Sequence, residues 1–245
     1  MARVSFDFTG NNYLITGASS GIGKQIVLDL ADSGANILAI ARREDELKKL
    51  QSEYPEKISI ISCDVCDKET VKSSVESFIN DKGFLNGFVH AAGIYNFSPI
   101  NIFDKNEFQK MMDVNFWAGI DIIQFISKKK YSANEASFVM FSSVSALKGE
   151  KGALVYSASK AAVSTAVKSL AKELCARKIR VNTIMPGPVA TPMTQVEGIE
   201  NLLERIPFGI GNVSDISYPV LFLLSDGAKW ITGTDFIVDG GYINN

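Results

Sequence analysis

Seven short apolar runs rich in β-branched residues recur along the chain, at Tyr13–Ile15, Ile37–Ile40, Ile58–Ile61, Gly87–Val89, Phe138–Phe141, Val181–Ile184 and Phe236–Val238. Each is apolar without alternation, which predicts strands covered on both faces. The longer stretches between them carry apolar residues at helical spacing, as in Ile22–Ala31, Lys105–Ser127 and Tyr156–Arg177. Strands alternating with helices, joined by right-handed crossovers, predict an α/β fold with a doubly wound, seven-stranded parallel sheet and helices on both faces. No stretch has the composition of a linker or a low-complexity tract, so residues 1–245 are expected to form one domain.

The turn after the first run reads "TGASSGIG", residues 16–23. A glycine-rich turn between a first strand and a helix leaves backbone N–H groups and the positive helix end where a pyrophosphate can sit. The spacing of Gly17, Gly21 and Gly23 departs from the usual G-x-G-x-x-G, so taken alone the turn fits either phosphate binding or tight packing.

Composition narrows the partners. The formal net charge is −2, from 25 Lys and Arg against 27 Asp and Glu, so there is no basic field to draw the chain to nucleic acid or anionic lipid. Small molecules and other proteins are the expected partners. No run has the length of a membrane span and none resembles a signal peptide, so a cytoplasmic location is expected. Cys63 and Cys66 form a C-x-x-C, but with only Cys175 and the lone His90 beside them, no metal site is expected. Cys63 is expected to end a strand and Cys66 to lie in the turn after it.

Tyr156 and Lys160 are four apart in "YSASKAAVSTAVKSLAKEL", a stretch of good helix formers, and therefore share a helix face. A free phenol is too weak an acid to exchange protons readily at neutral pH, and a neighbouring ammonium is expected to lower its pKa. The competing reading is a packed tyrosine with a lysine extending beside it. Asn115 falls within a helical stretch, "MMDVNFWAG", where asparagine has poor propensity and needs a reason to be present.

These features, in this order, resemble the short-chain dehydrogenases/reductases, the branch with a single Rossmann-like domain. The resemblance runs through "TGASSGIG", "CDV" at Cys63–Val65, "HAAG" at His90–Gly93, "DVN" at Asp113–Asn115, "SSVSA" at Ser142–Ala146, "YSASK" at Tyr156–Lys160, "PG" at Pro186–Gly187 and the C-terminal "DGG". It implies an oxidoreductase that moves a hydride between a nicotinamide cofactor and a carbonyl or secondary alcohol. The implied catalytic set is Asn115, Ser143, Tyr156 and Lys160. Ser143 would steady the reacting oxygen and Ser142 would be structural. Tyr156 would exchange the proton, Lys160 would also bond the nicotinamide ribose, and Asn115 would kink its helix to hold a relay water.

For the cofactor, the resemblance implies Gly17, Ser19, Ser20, Gly21, Ile22 and Gly23 at the pyrophosphate and Asp64 and Val65 at the adenine. Ala92 and Gly93 would lie by the ribose. Pro186, Gly187, Val189 and Thr191 would belong to the segment that closes on the carboxamide. "HAAG" replaces the commoner N-N-A-G, so His90 is expected to pack or hydrogen-bond rather than catalyse. After the second strand the chain reads "ARRE", with Ala41 where NAD users of the family place an acid and Arg42 and Arg43 following. Two guanidinium groups and no carboxylate predict NADP(H) over NAD(H). Arg42 is the expected direct contact; Arg43 belongs either to that contact or to the charged helix face "REDELKK".

The chain is similar to 3-oxoacyl-(acyl-carrier-protein) reductases, although sugar, polyol and steroid enzymes share the same motifs. Pro192–Pro207 is expected to form a lid over the pocket, shorter than in the acyl-carrier reductases. Lys128–Lys130 and Arg177 lie near where such reductases receive an acidic acyl-carrier protein; the competing reading, usual for a charge run, is a solvated face. Relatives pair the helices near Lys105–Ser127 and Tyr156–Arg177 across a two-fold axis, which implies a homotetramer or a homodimer. A cofactor-binding regulatory module without chemistry is the competing class, and the retained Asn115, Ser143, Tyr156 and Lys160 argue against it.

Overall fold

The computed structural model of the protein describes residues 4–194 and 206–244. Seven strands form one parallel sheet: β1 Asn12–Thr16, β2 Asn36–Ala41, β3 Ile58–Ser62, β4 Leu85–His90, β5 Ser132–Phe141, β6 Arg180–Pro186 and β7 Asp235–Val238. Their order is β3-β2-β1-β4-β5-β6-β7. Each predicted run falls inside one strand. β5 starts earlier than its apolar run because its opening residues are polar, and a register shift against β4 there accompanies Glu135 at φ 66°.

The helices are α1 Gly21–Asp32, α2 Glu44–Glu53, α3 Lys68–Lys82, α4 Lys105–Met112, α5 Ala118–Ile126, α6 Ser145–Lys148, α7 Leu154–Glu173 and α8 Val213–Leu224. Strand pleating sends successive side chains to opposite faces. Tyr13 and Ile15 therefore pack with Ile26 and Leu30 of α1, Leu47 of α2 and Val220 of α8. Leu14 packs on the other side with Val75 of α3, Ile122 of α5 and Val163 of α7. Burial on both faces explains why β1 reads as continuously apolar.

The chain crosses from β3 at one edge back to β4 beside β1, so connections leave β1 and β4 in opposite directions. A crevice opens above their carboxyl ends, which is where ligands bind in sheets of this kind. The turn 16–23 and the segment 90–93 both sit there. Among the described residues, no helix is long and apolar enough to cross a membrane.

Candidate active site

A cleft of about 1250 Å³ spans the carboxyl ends of the strands, and its floor is the glycine turn. Gly17 has φ +70°, and a Cβ there would stand 2.6 Å from Ala92 N. A Cβ on Gly23 would stand 2.3 Å from Gly17 O. Both glycines let the turn, α1 and the exit of β4 close on one another. Ser20 caps α1 without a side-chain hydrogen bond, which leaves the first-turn N–H groups without that cap at the wall of the cleft. Ser19, Ser20, Gly21 and Ile22 line that wall. Such a cradle, with a positive helix end and no side chain among the described residues filling it, fits a pyrophosphate.

At one end of the cleft, β2 delivers Arg42 and Arg43. Arg43 Nε and Nη2 both donate to Ser19 Oγ, at 3.2 and 3.0 Å. Its guanidinium is thus bonded to the glycine turn, while its charge still acts on Glu46 of α2. The Arg42 side chain is exposed and makes no hydrogen bond or ion pair among the described residues. Asp64 Oδ1 accepts from Cys66 N at 2.9 Å and shapes the turn beside Val65. Trp117 and the ion pair Lys68–Asp121 (2.9 Å) complete this end. Nothing in the sequence marks those three, because the fold draws them in from α3, α5 and the turn before α5. Burial pushes the thiols of Cys63 and Cys66 up to about 11 each, with nearby Asp residues adding to it. Among the described residues, no cluster of three His, Cys, Asp or Glu could hold a metal.

At the other end, Ser143, Tyr156 and Lys160 meet. Ser143 Oγ donates to Ser145 Oγ at 3.2 Å and accepts from Ser145 N at 3.1 Å. Ser142 Oγ instead donates to Lys160 O at 2.8 Å, a structural role. Lys160 Nζ is buried, donates to Phe141 O at 2.8 Å, and is pushed down to about 8 by loss of solvent. The expected lowering of the Tyr156 pKa is not what the structure gives. Burial raises it, opposed in part by the neighbouring Ser143 hydroxyl. Lys160 Nζ lies 5.6 Å from the Tyr156 ring centroid, spends a hydrogen on a backbone carbonyl, and is itself disfavoured as an ammonium by burial. Tyr95 packs edge-on against Tyr156 at 5.2 Å between centroids.

Asn115 lies behind the cleft rather than in it, fully buried. The helical stretch 105–127, in which the resemblance implies a kink at Asn115, is interrupted here by a π-turn, Asp113–Trp117. Asn115 Oδ1 accepts from Ile94 N at 2.8 Å, and its Nδ2 donates to Ile94 O at 3.0 Å and Ser159 Oγ at 3.1 Å. Ser159, inside "YSASK", was not singled out from the sequence. A Cβ on Gly93 would stand 3.4 Å from Asn115 Oδ1 and 3.6 Å from Lys160 Nζ, so this exit from β4 runs directly over both. His90 bonds Thr16 Oγ1 through Nδ1 and Val114 O through Nε2, each at 3.0 Å. Burial holds it down to about 4, so it is neutral.

Pro186, Gly187, Val189 and Thr191 line the third wall. Gly187 N donates to Val238 O at 2.9 Å, and Thr191 Cγ2 lies 3.3 Å from where a Gly21 Cβ would be. Of the predicted lid, Pro192–Thr194 forms a 3₁₀ turn. Residues 195–205 lie outside the described residues. The predicted docking cations are partly committed elsewhere. Arg177 donates to the Ser127 and Ser132 carbonyls, and Lys130 sits over the Tyr131 ring and beside Glu76.

A sheet with this switch point, a glycine cradle at it and a serine, tyrosine and lysine converging beside it agree with what known proteins show. A family model described as enoyl-(acyl carrier protein) reductase matches residues 17–243. The chain belongs to the short-chain dehydrogenase/reductase family. It is 33% identical over 241 residues to a 3-oxoacyl-[acyl-carrier-protein] reductase of Thermotoga maritima, covering 96% of this chain and 98% of the relative. It is 34% identical over 248 residues to an L-xylulose reductase of Caenorhabditis elegans, covering 98% and 99%. A blue fluorescent protein from a metagenomic library, solved in complex with NADPH, superposes with TM-score 0.89 at 28% identity, covering 96% of this chain and 99% of that one.

Proposed function

We propose that this chain is an NADP(H)-dependent oxidoreductase that interconverts a carbonyl and a secondary alcohol, with one domain holding both cofactor and substrate. The observation that carries the reading is the meeting of Ser143 and Tyr156 hydroxyls, with Lys160 one helical turn on, at the open end of the glycine cradle. Bound NADPH supplies the hydride that reaches the carbonyl carbon. Ser143 donates to the carbonyl oxygen and stabilises the charge that grows there. Tyr156 holds the proton on Oη, which its raised pKa favours at neutral pH, and delivers it to that oxygen. Lys160 is anchored on Phe141 O with hydrogens to spare for the ribose. Arg42 and Arg43 favour the 2′-phosphate, and no carboxylate stands at Ala41 to repel it.

The substrate side supports an apolar carbonyl compound. Tyr95 leans on Tyr156, and Ile94 and Met193 line the cleft nearby. A second reading, a carrier-linked 3-oxoacyl group, draws on the Thermotoga relative's name. Docking an acidic carrier would fall chiefly to Lys128 and Lys129, since Arg177 and Lys130 are engaged. We further infer a cytoplasmic enzyme that assembles as a homotetramer or homodimer. Panels of ketones, 3-oxoacyl thioesters, sugars and alcohols, followed through cofactor absorbance, test the reading. Failure of every carbonyl and alcohol to turn over, with cofactor bound, would leave a regulatory module instead.

A further inference from the structure

Behind the cleft, a single imidazole joins three pieces of the chain. His90 closes β4, is 1% exposed, and packs against Phe88 and the backbone of Gly119. A Cβ on Gly119 would stand 2.9 Å from His90 Cδ2, so α5 approaches the ring as closely as a backbone can. The partners fix the tautomer. A carbonyl only accepts, so Nε2 carries the hydrogen toward Val114 O, and Nδ1 accepts from Thr16 Oγ1. Thr16 Oγ1 accepts in turn from Ala92 N at 3.3 Å. Beyond Val114, Asn115 holds both backbone groups of Ile94 and donates to Ser159 Oγ, which donates to Tyr156 O at 2.8 Å. A continuous line of bonds thus runs from the end of β1, beside the glycine turn, to the first turns of α7.

The bond to Val114 has a specific consequence. In a regular helix, Ala118 N would donate to Val114 O, four residues back. Here it donates to Asp113 O, and the widened turn passes over the Val114 carbonyl. His90 Nε2 supplies the missing donor. Without it, the buried carbonyl is left unsatisfied, or the helix tightens by one residue and swings Asn115 by roughly 100° away from Ile94 and Ser159.

We infer that His90 is a positioning residue for the oxidoreductase reaction: its Nε2 hydrogen bond holds the π-turn open, and so fixes Asn115, Ser159 and the Tyr156–Lys160 turn against the cofactor-binding floor. The inference rests on the role proposed for Tyr156. It also gives a physical reason for the histidine in "HAAG".

Two substitutions separate the two ring nitrogens. An asparagine carries its amide oxygen near the place of Nδ1, and a glutamine carries its amide nitrogen near the place of Nε2. His90→Asn therefore keeps the Thr16 bond and loses Val114, whereas His90→Gln does the reverse. Full-length wild type, His90→Asn, His90→Gln, Thr16→Val and Tyr156→Phe are compared by steady-state reduction of the most active ketone in the panel, NADPH fluorescence titration and thermal unfolding. His90→Asn is expected to lower kcat about tenfold, with KM and NADPH affinity within about twofold of wild type. His90→Gln is expected to regain most of that loss. Wild-type kcat in His90→Asn, or equal losses in Asn and Gln that track their melting temperatures, overturns the inference in favour of plain packing. Should His90→Asn not fold, His90→Gln and Thr16→Val carry the test. Both keep the Val114 bond, but Thr16→Val also removes the acceptor of Ala92 N, so the deciding result is His90→Gln: a tenfold or larger fall in its kcat overturns the inference. An active Tyr156→Phe sinks the reading of the acid itself, whereas an inactive Tyr156→Phe beside a fully active His90→Asn sinks only the role of His90.

Discussion

Arg43 reaches back over the glycine turn and lays two guanidinium hydrogens, from Nε and Nη2, on the single hydroxyl of Ser19. A long, flexible cation is thereby held before any ligand arrives, with Nη1 bonded to nothing among the described residues. The Arg42 side chain beside it is exposed and makes no hydrogen bond or ion pair among the described residues. At the proposed 2′-phosphate contact, the pair would combine one guanidinium already held in place with one that has no such bond.

The cofactor prediction follows from that arrangement. Arg42→Ala is expected to weaken NADPH by on the order of 1.5–3 kcal/mol, the scale of hydrogen bonds to a charged group, and to leave NADH nearly unchanged. Ser19→Ala frees Arg43 without removing its charge, so its effect on NADPH is expected to be smaller, about 1 kcal/mol or less. Steady-state kinetics with both cofactors measure this. A wild-type preference for NADH, or equal losses for both cofactors in Arg42→Ala, would contradict it.

For the acid, Tyr156→Phe keeps the ring against Tyr95 and removes the transferable proton. Turnover is expected to fall by roughly 10²-fold or more with cofactor binding kept. The raised phenol pKa adds a sign. Carbonyl reduction needs the protonated form, so its kcat should stay level through neutral pH and decline only on the alkaline side. Alcohol oxidation needs the phenolate and should rise there. A reduction rate that drops on passing from weakly acidic to neutral pH would show that the phenol is more acidic than its burial dictates.

Much of this site was legible in the sequence because its parts are local. Strand, glycine turn and helix follow one another within residues 12–32, and Tyr156 and Lys160 share a helix face through spacing alone. What was not legible depends on distance and depth. The helical periodicity of 105–127 does not itself show the π-turn; the resemblance implies a kink at Asn115, but the groups that secure it, His90 and Ile94, come from another part of the chain. The direction of the Tyr156 pKa depends on how deeply its hydroxyl is buried, which no four-residue spacing encodes. Arg177 looked like a free surface cation, and only the closing of its loop onto the Ser127 and Ser132 carbonyls spends it.

The buried imidazole also makes stability depend on pH. His90 is held down to about 4 in the folded chain, chiefly by burial with Lys160 adding to it, against an ordinary value of 6.5. Below 6.5 the unfolded chain takes up a proton that the folded chain refuses, so stability is lost as pH falls from 6.5 toward 4. The full loss is on the order of 3 kcal/mol. His90→Gln has no proton to take up. Urea unfolding near pH 7 and near pH 4.5 should show wild type losing about 2 kcal/mol more than the variant. Parallel losses would mean that His90 is not held neutral.

Assembly is the remaining expectation, and α7 supplies its physical basis. Ala158, Ala162, Thr165 and Ser169 follow one another at spacings of four, three and four, which places them on one stripe of the helix. Ala158, Thr165 and Ser169 are exposed and Ala162 is half-buried, while the opposite face, with Val163 and Val167, is in the core. Small side chains along a stripe let two helices approach closely, and the same stripe on a second copy is its own complement under a two-fold axis. Multi-angle light scattering at micromolar concentration is expected to give a tetramer, or a dimer built on this contact. Thr165→Arg puts a long cation in the middle of the stripe, at a position that does not line the cleft, and should shift the protein to a smaller species without unfolding it. A wild-type monomer, or a Thr165→Arg variant of unchanged mass, would place the contact elsewhere or remove it.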